Sequence, residues 1–277
     1  MSLLDQISVL ILTYNEEPNI GRTLAALARF TDIVVLDSGS TDRTRDIVAR
    51  FPNARLVTRS FDEHATQWNH GLQNCGIERP WVLALDADYL LPDALVDEIA
   101  ALQPADAQAG YEVAFRYCIH GRRLSASLYP GHVVLYRRDQ ARYVQEGHTQ
   151  RVVVEGWIGA LRARIDHDDR KPLARWLSSQ QRYARLEADH LLSVRRTSLR
   201  WVDRIRLTGI LGPCLVFLYT LFAKRCILDG WPGWLYVLQR TVAETMIAAE
   251  LIDHKLKSPS ATLRESRAQA STGSKKR

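Results

Sequence analysis

Asp86 and Asp88 stand one residue apart at the end of an apolar run, residues 81–85 (WVLAL). Carboxylate oxygens are the ligands that a hard divalent cation prefers. Side chains along a strand alternate faces, so positions i and i+2 point the same way. The pair is therefore a candidate grip on one hard divalent cation. Two other polar stretches also follow apolar runs: Thr13-Tyr14-Asn15-Glu16-Glu17-Pro18 after residues 7–12 (ISVLIL), and Asp37-Ser38-Gly39-Ser40-Thr41-Asp42 after residues 33–36. Backbone amides at the helix starts beyond such turns can face an anion, and Asp37 can accept from a base N–H or a ribose hydroxyl. Taken singly, each turn is more readily explained by helix capping. Their coincidence with the paired aspartates favours chemistry.

Those residues need elements to place them. Residues 7–12 and 81–85 are nearly all apolar, as strands covered on both faces of a parallel sheet are. Ile20, Leu24 and Leu27 recur at i, i+4 and i+7 on one face of a helix, with Asn15 as a possible cap and Pro18 in its first turn. The unit repeats. A strand at 33–36 precedes a helix marked by Ile47, Val48 and Phe51, and a short strand at 55–58 precedes a helix at 63–75. The strand at 81–85 precedes a helix marked by Leu91, Leu95, Ile99 and Leu102. Strands alternating with helices at this spacing predict an α/β fold with a doubly wound, mostly parallel sheet. Ligands bind such sheets at the carboxyl ends of the strands, where all three polar turns would lie. From Tyr111 the pattern changes to antiparallel-looking strands, clearest at 111–119 and 132–137, separated by a basic segment; Arg116, Arg122 and Arg123 could face phosphate or acidic sugars, with solvated surface arginines as the alternative.

The three turns, in this order and spacing, resemble the nucleotide-sugar half of a family 2 glycosyltransferase of the GT-A fold, in particular the lipopolysaccharide-core β-1,4-glucosyltransferases. The resemblance implies that Thr13, Tyr14, Asn15, Glu16, Asp37, Ser38, Asp86 and Ala87 bind a nucleoside-diphosphate sugar, with UDP-glucose the expected donor. It also implies that Asp86 and Asp88 hold Mg2+ or Mn2+ against the diphosphate, with His167 completing the metal shell or binding a diphosphate oxygen. Relatives often carry an acid after the second aspartate; this chain has Tyr89, which leaves Asp88 to coordinate more strongly or Tyr89 to face the sugar. An inverting transfer needs a carboxylate to take the proton of the attacking hydroxyl. Glu146 lies where relatives place an acid, although those relatives read closer to His-Glu where this chain has His148-Thr149. The segment 165–172, with Asp168 and Arg170, either orders a loop beside the metal or caps the helix that follows. That helix, 173–188, resembles the lipopolysaccharide-core enzymes and lacks the QxxRW motif of processive synthases, so a single transfer per encounter is expected.

The C-terminal third differs. Residues 207–223 carry no charge but are interrupted by Gly209, Gly212 and Pro213. A spanning helix needs roughly 20 apolar residues, so an interfacial helix or helical hairpin is the expectation, with burial against protein as the bland alternative. A further helix is expected over 231–257, with Leu235, Leu238, Val242, Met246 and Ala249 on one face, then a disordered basic tail. The +6 charge is concentrated in that tail and in arginines 195–206, which points to an anionic lipid surface rather than nucleic acid. Four scattered cysteines without CxxC and an N-terminus without a signal-peptide pattern fit a cytoplasmic protein, peripheral or monotopic on the inner membrane face. The expected division is a nucleotide-sugar half (1–105), an acceptor half (106–171), a helical membrane-associated region (172–257) and the tail (258–277). The expected acceptor is lipopolysaccharide core or another lipid-linked glycan. Polyprenyl phosphate as acceptor, and a nucleotide-sugar-binding membrane scaffold without turnover, are the alternatives.

Overall fold

The computed structural model describes residues 2–146, 149–195 and 197–257, with the backbone alone at Glu146 and Thr149. The chain divides into two compact units: Met1–Leu173 with Lys224–Leu235, and Ala174–Ala223 with Tyr236–Arg277.

The first unit is a mixed α/β sheet. The βα repeats read from the sequence are present: β1 (Ile7–Thr13), α1 (Ile20–Ala26), β2 (Ile33–Asp37), α2 (Thr44–Val48), β3 (Ala54–Thr58), α3 (His64–Asn74), β4 (Trp81–Asp86), the short β5 (Tyr89–Leu90) and α4 (Asp93–Ala101). The second half supplies β6 (Gln108–Ile119), β7 (Arg122–Arg123), β8 (His132–Arg137), β9 (Ala141–Glu146), β10 (Thr149–Val154) and β11 (Trp157–His167). The sheet order is β3-β2-β1-β4-β8-β6-β11-β5, with β7 beside β6 and a separate β9–β10 hairpin. β1, β2, β3 and β4 pair in parallel, whereas β8 is antiparallel to both β4 and β6. β6 and β11 run parallel, although the sequence pattern there suggested antiparallel strands throughout. The core explains the apolar runs: Ile7, Val9, Leu10 and Ile11 of β1, Ile33–Leu36 in β2 and Leu83 and Leu85 of β4 are buried, packing against Leu24, Leu27, Phe30 and Ile99 from one side and Trp68 and Leu72 from the other.

The second unit is helical: α5 (Leu173–Ser193), which starts on the last residue of the first unit, α6 (Trp201–Arg206), α7 (Leu211–Leu218), a π-helical turn at Tyr219–Ala223 and most of α8 (Gly230–Lys257). Ala188, Leu191, Leu199 and Leu251 form its core. Arg206 beside it reaches Glu244 at 2.5 Å, Glu187 at 3.1 Å and Asp203 at 3.5 Å. Gly209, at φ +86°, breaks the 207–223 stretch between α6 and α7. Among the described residues no single helix is long and apolar enough to cross a membrane; only the pair Leu211–Ala223 and Cys226–Lys257 passes that test together, by length and composition. The face expected on α8 requires correction. Leu238 is exposed, and the helix instead buries Tyr236, Val237, Ala243, Glu244, Ala248 and Leu251. The helix is apolar on several sides, so periodicity could not select the buried one. The tail expected to be disordered lies outside the described residues.

Candidate active site

The parallel register brings three strand ends level: Thr13 of β1 is paired with Asp37 of β2, and Leu12 with Asp86 of β4. The first two turns then lock together. Asp37, fully buried, accepts from the Thr13 hydroxyl at 3.1 Å, from Gly39 and Ser40 N–H at 3.1 and 2.9 Å, and from the Ser40 hydroxyl at 2.5 Å. Asn15 adopts the left-handed region, φ +55°, and its Oδ1 accepts from Thr41 N–H at 2.7 Å and Asp42 N–H at 3.3 Å. Asn15 therefore caps the second turn and not α1, as the sequence had suggested. Its own N–H donates to the Ser40 hydroxyl at 2.7 Å, and Glu16 N–H donates to the Thr44 hydroxyl at 2.7 Å. Tyr14 is half exposed beside this joint. Ser38 accepts from Gln67 of α3 at 3.2 Å, a buried residue that the sequence reading missed.

The strand-alternation argument for Asp86 and Asp88 holds only in part, because β4 ends at Asp86 and Asp88 lies in the following turn. Ala87 is buried in the core, and its carbonyl accepts from the Thr23 hydroxyl at 2.6 Å. Tyr89 is also buried, which leaves its ring among Phe115, Tyr129, His132 and His167 rather than at an open sugar site. Its hydroxyl bonds to that of Tyr129, and Asp86 lies close enough for the two to interact.

The loop after β11 closes over this rim. His167 Nε2 lies 3.3 Å from Asp88 Oδ2, and Asp168 N–H donates to the Asp88 carbonyl at 3.1 Å. Lys171 Nζ lies 2.8 Å from Glu16, 3.4 Å from Asp169 and 4.0 Å from Asp88. Asn19 donates to both Glu16 and Asp169 at 2.9 Å. Asp168 is buried and accepts from Arg22 at 2.7 Å, from Arg170 at 2.9 Å and from Gly121 N–H at 2.9 Å, so it orders the loop. Lys171, Asn19 and Arg22 had not been singled out; the signal was a run of alternating charge directly after a strand that ends on this edge. Arg116 and Arg123, considered for phosphate, are instead held on Asp166 at 2.7 and 2.9 Å.

Among the described residues Glu16, Asp86, Asp88 and Asp169 thus face His167 and Lys171, with Arg22 and Arg170 engaged by Asp168. The acids outnumber the cations, and burial together with this crowding of charge shifts their titrations. Burial, and then the charge of Asp88, raises Asp86 to about 6. Burial outweighs Lys171 in raising Glu16 to about 7. Burial opposes ionisation of Asp88 as well, but His167 and Lys171 prevail and hold it down to about 2. Asp88 Oδ1 is buried and accepts no hydrogen bond, and His167 Nδ1 is likewise without a partner. An orphaned carboxylate oxygen within a surplus of negative charge is a donor set that fits a hard divalent ion. No group of three or more His, Cys, Asp or Glu side chains among the described residues is already arranged to hold one.

The β9–β10 hairpin packs on α3. Tyr143 and Asn69 exchange two hydrogen bonds of 2.9 Å, and Tyr143 stacks on Trp68 at 5.1 Å. This fixes the strand that ends at Glu146, whose side chain, with Gly147 and His148, lies outside the described residues.

The family model of glycosyl transferase family 2 matches residues 8–167. The chain belongs to that family. The match runs from β1 to the end of β11, and the 168–171 loop lies beyond it. The family 2 chain is 28% identical over 266 residues to the lipopolysaccharide core biosynthesis glycosyltransferase LpsC of Rhizobium meliloti (strain 1021), covering 91% of this chain and 94% of LpsC. It is 32% identical over 112 residues to validoxylamine A glucosyltransferase of Streptomyces hygroscopicus subsp. limoneus, covering 37% of this chain and 25% of that one. Among solved structures, residues 1–349 of S. aureus TarS in complex with UDP-GlcNAc align with a TM-score of 0.41 at 16% identity, over 87% of this chain and 81% of that one.

Proposed function

We propose that this family 2 glycosyltransferase moves one hexose, with inversion, from a nucleoside-diphosphate sugar, UDP-glucose, to a lipopolysaccharide-core acceptor at the inner face of the cell membrane. The observation that carries the reading is the convergence of the 13–17, 37–42 and 86–88 turns on one sheet edge, closed by His167 and Lys171. The resemblance of the whole chain to LpsC, by that relative's printed name, supports the acceptor class. Asp37, whose acceptor positions are filled within the joint between the first two turns, would shape the nucleoside pocket from behind, with the exposed Tyr14 beside it. Asp86 and Asp88, with His167 beside them, would hold Mg2+ or Mn2+, which as a Lewis acid stabilises charge developing on the leaving diphosphate. Lys171 lies within reach of the same region and would add positive charge there. Glu146 is the proposed base, on a hairpin fixed to α3.

The membrane face is proposed from the second unit. Leu211, Leu215, Leu218 and Phe222 recur along one helical stripe and are all about half exposed, as is Tyr219. Exposed Trp201 and Arg200 stand close in sequence, a composition suited to an anionic lipid interface. Labelled UDP-glucose, Mn2+ and lipopolysaccharide core lacking its outer sugars provide the test. Transfer of label to core with release of UDP is expected; donor binding without any nucleotide release, whatever the acceptor extract, would overturn the reading.

A further inference from the structure

Lys224–Leu235 folds with the first unit although the residues on both sides of it belong to the second. The segment is tightly built. Arg225 and Gly230 sit at φ +56° and +63°, and a Cβ on Gly233 would lie 1.9 Å from the Cys226 carbonyl oxygen. It does not serve to fill the core, since Leu228 and Trp231 are 76% and 85% exposed. At the surface it is hydrogen-bonded to the loop between β7 and β8. The two carboxylate oxygens of Asp229 accept from Ser125 N–H at 3.0 Å and from the Ser125 hydroxyl at 2.5 Å. The thiol of buried Cys226 lies 3.8 Å from the Ala126 carbonyl oxygen.

Four residues beyond Ser125, the same loop sends Tyr129 to the site. The Tyr129 hydroxyl bonds to Tyr89, whose hydroxyl lies close to Asp86, and the Tyr129 ring lies 4.6 Å from His167 and 5.1 Å from Phe115. Either hydroxyl of the Tyr89–Tyr129 pair can be the donor. The contacts therefore run from Asp229 through Ser125 and its loop to Tyr129, Tyr89 and Asp86. Hydrogen bonds to a carboxylate are about twice as strong as neutral ones, so Asp229 gives this loop a fixed point between its ends.

We infer that Asp229 is a positioning residue: by holding Ser125 it sets the loop that carries Tyr129, and with it the acceptor-side wall facing Asp86 and Asp88. What that wall does rests on the transferase reading; the tether does not. The first measurement therefore needs no substrate. In the full chain, Asp229→Ala is expected to speed amide exchange severalfold over 122–131 and over 86–91, leaving β1 and β2 at the wild-type rate. Asp229→Asn, which keeps one accepting oxygen, should fall between, and Ser125→Ala should give the same pattern at smaller amplitude. Wild-type exchange in 122–131, or loosening of the whole unit alike in all three variants, overturns the tether.

The second measurement is kinetic. With Asp229→Ala, kcat/KM for acceptor should fall roughly tenfold, the equivalent of about 1.4 kcal/mol, while KM for donor stays put. Asp229→Asn should recover part of the loss, and Tyr129→Phe should reproduce it. A raised donor KM with acceptor efficiency intact, or an unaffected Tyr129→Phe, overturns the positioning role. If the wild-type chain transfers nothing, the transferase reading fails, and the exchange pattern alone decides the tether.

Discussion

Removing the Asp168 carboxylate should destabilise the first unit measurably. Asp168 is 1% exposed and ties together α1 through Arg22, the β6–β7 turn through Gly121 N–H, and its own loop through Arg170. Breaking a buried ion pair by removing one partner costs about 3–5 kcal/mol, chiefly because the other charge is stranded. Here the stranded groups are guanidiniums whose side chains are 28% and 39% exposed, so water recovers part of the loss. The Arg22 bond to the Asp168 backbone carbonyl, 2.9 Å, also survives truncation. The lower end follows: Asp168→Ala should lower unfolding free energy by about 3 kcal/mol. Urea unfolding followed by tryptophan fluorescence measures it, with an unchanged denaturant slope as the sign that only stability moved. Asp169→Ala, at a partly exposed acid with Asn19 and Lys171 as partners, is the control and should cost less. A loss below about 1 kcal/mol for Asp168→Ala, the range of an exposed pair, would refute the view that this loop is locked to the rim.

Asp88→Asn should cut turnover at least roughly a hundredfold with the fold retained, since a Lewis acid supplies several kcal/mol of charge stabilisation; near-normal turnover with Mn2+ would remove the cation from the mechanism. Glu16 titrates at about 7 in the folded chain against 4.5 unperturbed, so the native state binds the extra proton between those values and stability declines as pH rises through that window. Glu16→Gln should therefore match wild type near pH 4.5 and be the more stable protein above pH 7, by up to about 3 kcal/mol; parallel stability curves for the two proteins would contradict the assigned titration. Replacing Leu215 and Phe222 with Asp should release the chain from anionic vesicles while leaving transfer to a soluble acceptor fragment unchanged, and persistent co-sedimentation would move the lipid contact elsewhere.

What the sequence made legible was local. Strands β1, β2 and β4 are buried from both faces, so their side chains form uninterrupted apolar runs, and the polar turns stand out by contrast. The lock between two of those turns was not legible, because Asn15 serves amides 26 and 27 residues away rather than the helix that follows it. Likewise, Asn19 meets Asp169 across 150 residues and Arg22 meets Asp168 across 146, separations over which no periodicity carries a signal. The same limit governs the chemistry. Sequence reveals carboxylates, but whether they seek a cation depends on how many opposing charges the fold brings to them. Lys171 reaches three acids and His167 one, while Arg22 and Arg170 are spent on Asp168. Burial first, and for Asp86 then the nearby charge of Asp88, raises Asp86 and Glu16, and Asp88 Oδ1 is left without a donor. On the proposed transferase reading, a divalent ion brought in with a diphosphate would offset that surplus of negative charge.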